Sequence, residues 1–116
     1  MCIRDRYLNW GSTIDEVNTT VATALAEADD LEAHWEVWAR LTSRYDFARA
    51  DGGEVAREVM ETYGGEVIIH GHSIIGTLLD RPSREIDQPL LYADGLVLDI
   101  DGGRYDGGPL LIVRLD

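Results

Sequence analysis

A chain of 116 residues, 45% apolar and 28% charged, has room for one packing unit with a modest core, and this composition excludes wholesale disorder. With 22 acidic residues against 10 basic ones the net charge is −12, which repels nucleic acid and anionic lipid, so neither a nucleic acid nor a membrane is expected as a partner. The sequence holds no apolar run of about 18 residues and no positive-then-apolar leader, and its single cysteine, Cys2, has no partner for an internal disulfide; a cytoplasmic chain in a reducing compartment is expected.

The opening "MCIRDR", residues 1–6, fits nothing that follows and reads as a non-native, adaptor-derived scar, which places the natural start further upstream. From Gly11, Thr13 stands three residues before Glu16 in a capping-box pattern, and Ile14, Val17, Val21 and Leu25 recur at helical spacing. Asp29 and Glu32 repeat the capping logic. Leu31, Trp35, Trp38 and Leu41 then mark the buried stripe of a second helix, antiparallel to the first. His34 falls between stripe positions and is expected in solvent, whereas Trp10, Trp35 and Trp38 read as core or interface. "RYDFARADGG" interrupts the pattern; Val55, Val59 and Tyr63 mark a third helix, closed by Gly64 and Gly65. Residues 7–65 thus form a helical segment.

After Gly65 the period changes, and residues 66–116 read as a β segment. "EVIIH" is a β-branched strand, and "GHSIIG" the turn at its carboxyl end. "DRPSREIDQP" is a surface loop with one helical turn before Pro89. "LLYADG", "LVLDID" and "PLLIVRLD" read as three further strands, joined by the glycine-bearing hairpin loops "ADG" and "GGRYDGG". The expected fold is α+β, with about three helices followed by a sheet of three to four strands. So small a sheet covers the helices poorly, which points to one incomplete domain.

Chemistry concentrates at "EVIIHGHSIIG", where His70 and His72 flank Gly71. His70 ends the strand and His72 stands on the turn; each reads either as a structural histidine or, for His72 above all, as a ligand-facing group at the carboxyl end of a strand. Asp94, Asp99 and Asp101 are the acidic candidates to join them. In "LVLDID" the alternation sets Leu96, Leu98 and Ile100 on one face and Val97, Asp99 and Asp101 on the other, so both aspartates are expected to face solvent or, alternatively, the site. Tyr105 lies among Gly102, Gly103, Gly107 and Gly108, a loop suited to close substrate contact or to an ordinary hairpin. No phosphate-cradling glycine loop, dinucleotide fingerprint or nucleophile elbow is present.

The ordered set Gly71-His72-Ser73, "LVLDIDGG" and "YDGGPLLIVRL", with "YLNWGSTIDEVN" near the start, resembles the C-terminal end of calcineurin-like metallophosphoesterases, closest to the bacterial serine/threonine-phosphatase-like members. The resemblance runs from Tyr7 to Leu115. It implies a parent αββα sandwich enclosing two divalent metal ions of the Mn, Fe or Zn class, which activate a water against a phosphoester, either a phosphoprotein or a small molecule. It implies that His72 is a metal ligand, that His70 supports the ligands from behind, and that Asp101 and Tyr105 lie near the metals without an assigned role. The Asp-x-His, Gly-Asp-x-x-Asp and Gly-Asn-His motifs that carry the other ligands are missing here, so the chain alone is expected to be inactive. The alternative reading is a small acidic interaction module whose tryptophan-bearing helices bind a protein partner and whose histidines are structural.

Overall fold

The computed structural model describes residues 8–42 and 45–116; Cys2 and the expected scar lie outside the described residues. The helices are α1 (Ile14–Glu27), α2 (Leu31–Leu41), α3 (Gly52–Tyr63) and α4 (Ile75–Leu78), and the strands are β1 (Ile68–His70), β2 (Leu90–Tyr92) and β3 (Val97–Asp99). Single 3-10 turns cover Leu8–Trp10, Ser83–Glu85 and Arg104–Asp106. The chain is therefore α+β, with helices leading and a small mixed sheet following. Helix α4 was not anticipated: the stretch read as a turn continues, past Ser73, into one helical turn that buries Ile75 and Gly76.

Helix α1 begins where its cap dictates. Thr13 is extended, its Oγ1 accepts the Glu16 N–H at 3.2 Å, and the Glu16 carboxylate accepts the Ser12 N–H at 2.6 Å, so two amides the helix cannot satisfy are capped. Val17, Val21 and Leu25 are half-buried, but Ile14 is exposed. The cap of α2 is Asp30 rather than Asp29: its Oδ1 accepts the Ala33 N–H at 2.9 Å, since the cap is the residue directly before the first helical one, here Leu31.

The face that α2 buries also differs from the expectation. Leu31, Trp35, Trp38 and Leu41 are 83%, 69%, 54% and 47% exposed, whereas Val37 is buried. The helix turns its smaller side inward, with Ala33, Val37 and Arg40 on it. Arg40 donates to Asn9 Oδ1 at 3.4 Å and its guanidinium sits 5.4 Å from the Trp10 ring centroid. His34 is half-buried rather than solvated, with Nδ1 2.9 Å from the Asp30 carbonyl oxygen.

The core lies between α3 and the sheet. Phe47, Ala56 and Val97 are buried together, with Val55, Val59, Ile68, Tyr92, Ala93 and Leu96 packed around them. Phe47 comes from the segment that reads as an interruption, and a side chain on Gly52 would collide with the Phe47 carbonyl. Gly64, at φ 86°, ends α3 and returns its N–H to the Met60 carbonyl at 2.7 Å.

Strand β3 is central, in the order β1-β3-β2; it runs parallel to β1 (Ile68↔Val97, His70↔Asp99) and antiparallel to β2 (Leu90↔Asp99, Tyr92↔Val97). The alternation in "LVLDID" has the expected parity and the opposite sense. Val97 and Asp99 are wholly buried, Asp101 is half-buried, and Ile100 is exposed. The face carrying Ile68, Val97 and Tyr92 is the one α3 covers, so the aspartate in register with it goes inside.

The β2–β3 loop turns through Ala93, Asp94 and Gly95 at φ 52°, 58° and 79°, a left-handed run that suits a hairpin's twist. The final expected strand finds no partner among the described residues: residues 109–116 pair with no described strand, and Leu110, Ile112 and Leu115 are exposed; alternation alone makes no strand without a ladder partner. The loop "GGRYDGG" is accordingly a 3-10 turn between left-handed Gly103 and Gly107, not a hairpin. Ser83 and Ile86 in the expected surface loop are buried. Among the described residues no helix is long and apolar enough to cross a membrane.

Candidate functional site

The site forms at the carboxyl end of β1 and β3, where the parallel pair points both strands at the same loops. His70 is the last residue of β1. Its Nδ1 lies 2.9 Å from the Gly71 carbonyl oxygen, which can only accept, so Nδ1 carries the proton. Nε2 lies 2.7 Å from the Tyr92 hydroxyl. Because β3 separates β1 from β2, this bond spans the central strand, and the two rings meet edge to face with centroids 5.8 Å apart.

Asp99, in register with His70 on the same face, is wholly buried. Its Oδ1 accepts the Asp101 N–H at 2.9 Å, whereas Oδ2 has no hydrogen-bond partner among the described residues. Burial pushes the Asp99 carboxyl above the usual carboxylate range; the Asp101 N–H and the neighbouring His70 oppose the rise, and the negative charge of Asp101 adds to it. The Tyr92 hydroxyl is pushed up to about 12 by burial first, then by the charges of Asp99 and Asp46.

His72 occupies an unusual backbone position. Its φ is 67°, and the Ser73 N–H donates to the Gly71 carbonyl at 2.8 Å. A bond from residue i to i+2 around a positive φ is a γ-turn of the rare, strained kind. Asp101 holds it in place: Oδ2 accepts the His72 N–H at 2.9 Å and Oδ1 accepts the Gly103 N–H at 3.0 Å, while the Asp101 carbonyl receives the Ile75 N–H at 3.0 Å. One carboxylate thus ties the histidine turn to the glycine-rich loop. From the other side, the buried Ser73 hydroxyl accepts the Tyr45 N–H at 3.2 Å.

Next to this turn is a cavity of about 310 Å³ lined by Tyr45, Asp46, His70, His72, Ser73 and Tyr92 among others. A more apolar groove of about 540 Å³ lies beside it and shares Leu41, Phe47 and His70 as walls.

The structure therefore brings His70, His72, Asp99 and Asp101 together. Asp94 is left out: it sits in the hairpin at the other end of β3, paired with Arg57 of α3 at 2.9 Å. Tyr105 is 79% exposed on its 3-10 turn and does not line the cavity. Sequence reasoning missed Tyr92, Ser73 and Asp46. Tyr92 carries a signal only once β2 and β1 are known to flank the same strand.

Among the described residues no three histidine, cysteine or acidic side chains are grouped closely enough to hold a metal ion. Comparison of the chain with protein-family models, with curated proteins and with solved structures returns no match.

Proposed function

We propose that this chain is the C-terminal part of a cytoplasmic, metal-dependent phosphoesterase of the serine/threonine-phosphatase-like kind, to which it contributes His72 as a metal ligand. The observation that carries the reading is the backbone of His72. A non-glycine residue at φ 67° in a γ-turn costs about 1–3 kcal/mol, and a chain keeps such a conformation where it aims a side chain at a purpose. Glycine would adopt this turn without strain, so the imidazole is the reason for the residue.

The neighbours support the same reading. Both ring nitrogens of His70 have partners, Gly71 and Tyr92, which leaves it the supporting position and not a ligand's. Asp101 accepts the His72 backbone N–H, which fixes the turn that carries the imidazole. The remaining ligands of two divalent ions, of the Mn, Fe or Zn class, would come from Asp-x-His, Gly-Asp-x-x-Asp and Gly-Asn-His motifs preceding this segment, and the substrate is a phosphoester on a protein or a small molecule. No hydrolytic step is assigned to this chain itself, because the described residues do not supply a metal-ligand set.

Long-read sequencing of the source DNA across the codons before Tyr7 tests the proposal. An open frame carrying those three motifs in order supports it; a stop codon and ribosome-binding site directly before Met1 overturn it. Assays of the purified chain with p-nitrophenyl phosphate and manganese are expected to show no turnover above the blank. Robust metal-dependent turnover lost in His72→Ala would refute the incomplete ligand set.

A further inference from the structure

Helix α2 carries its largest apolar side chains on the outside. At 3.6 residues per turn, Leu31, Trp35, Trp38 and Leu41 fall within an arc of about 120°, and the stripe runs about 15 Å along the axis. All four are roughly half or more exposed. The stripe ends at Leu41, which also lines the apolar groove beside α1 and α3. Exposed tryptophans in a continuous row are what an interface presents, since aromatic anchors carry most of the energy of association.

The surrounding charge selects the occupant. Glu32 lies on the arc adjoining the stripe, about 60° beyond Trp35, Asp29 and Asp30 flank its amino end, and all three are exposed. Arg40 is on the opposite arc, engaged with Asn9 and the Trp10 ring. The rim is therefore acidic on a chain whose net charge is already −12. A second copy would set acidic rim against acidic rim, and an anionic lipid surface would be repelled.

We propose that the outer face of α2 is a docking site for a partner protein's basic amphipathic helix, with apolar residues on the Leu31–Trp35–Trp38–Leu41 stripe and lysines or arginines against Asp30 and Glu32. A helix lying along such a stripe needs about three turns. This inference does not rest on the phosphoesterase reading: Leu41, at the end of the stripe, also walls the histidine cavity, but neither histidine takes part in it.

Titration of the full chain with two synthetic amphipathic peptides of about 14 residues, about four turns, tests it; their leucine stripes are identical, and the flanks are lysine in one and glutamate in the other. Tryptophan emission and calorimetry are expected to show micromolar binding of the lysine peptide alone. Trp35→Ala and Trp38→Ala should each weaken it about tenfold or more, and Asp30→Asn, which keeps the oxygen that caps the helix, with Glu32→Gln should weaken it at low salt but not at about 1 M, where the Debye length is about 3 Å. Both tryptophans are exposed, so far-UV circular dichroism should confirm that the variants keep the fold. Equal binding of the two peptides, no binding up to about 1 mM, or tryptophan variants that bind like the parent would overturn the proposal. So would sedimentation showing self-association through Trp35 and Trp38, or adsorption to phosphatidylcholine vesicles in place of the peptide.

Discussion

Asp99 offers the sharpest test of the site's physics. Asp99→Asn keeps the carbonyl-type oxygen that accepts the Asp101 N–H and removes the charge from a side chain that is wholly buried with one oxygen unpartnered. A buried polar atom without a partner costs about 1–3 kcal/mol, more when it is charged. Asparagine still leaves one atom there without a partner, so what it relieves is the extra cost of the charge; unfolding entropy near 2.1 cal/mol/K per residue, taken over 116 residues, makes each kcal/mol of that worth about 4 °C, and a gain in Tm of about 4 °C is expected at neutral pH.

The sign of the pH dependence follows from the raised Asp99 carboxyl. Below the unfolded value, about 4, both states are protonated and the variant and parent are near-isosteres of equal stability. As pH rises, the unfolded state releases its proton first, so the parent loses stability until the folded carboxyl ionises, and the loss is constant above that. Thermal melts of both proteins from about pH 4 to 8 should therefore diverge, with the asparagine variant the more stable at the high end. A variant less stable than the parent by the same amount at every pH would show that Oδ2 is satisfied, and the reasoning would fail.

Other consequences can be read from melts of the same kind. His72→Gly should gain about 1 kcal/mol, the relief of the strained turn less the entropy of an added glycine, whereas His72→Ala should not; equal melts for the two would remove the strain argument. Asp30→Ala should cost about 1 kcal/mol and Asp29→Ala less than about 0.5, since only Asp30 receives the Ala33 amide. Val97→Ala removes two carbons from a wholly buried side chain and should cost about 2 kcal/mol. Ile112→Ala, at a position 90% exposed, should stay within about 0.5 kcal/mol; a large loss there would place residues 109–116 in the core.

Local chemistry was enough to locate most elements. Thr13 and Glu16 announce the start of α1, Gly64 the end of α3, the run "EVIIH" the strand that ends at His70, and Gly71 the turn that follows. These are events within four or five residues, where capping, glycine's left-handed freedom and β-branched stiffness act directly. Which face each element buries was decided elsewhere. The alternation in "LVLDID" has two equivalent senses until α3 covers one side of the sheet, and that choice put Asp99 inside.

The same holds for α2, whose apolar stripe is plain in the sequence yet faces outward, and for residues 109–116, whose strand pattern finds no ladder partner among the described residues. The pairing of His70 with Tyr92 needs the order β1-β3-β2, which no spacing in the sequence contains. The sequence by itself determined the start of α1, the end of α3 and the end of β1, because those are short-range hydrogen-bonding problems. Tertiary structure alone decided burial, strand order and the His70–Tyr92–Asp99 network, because these depend on contacts between residues far apart along the chain.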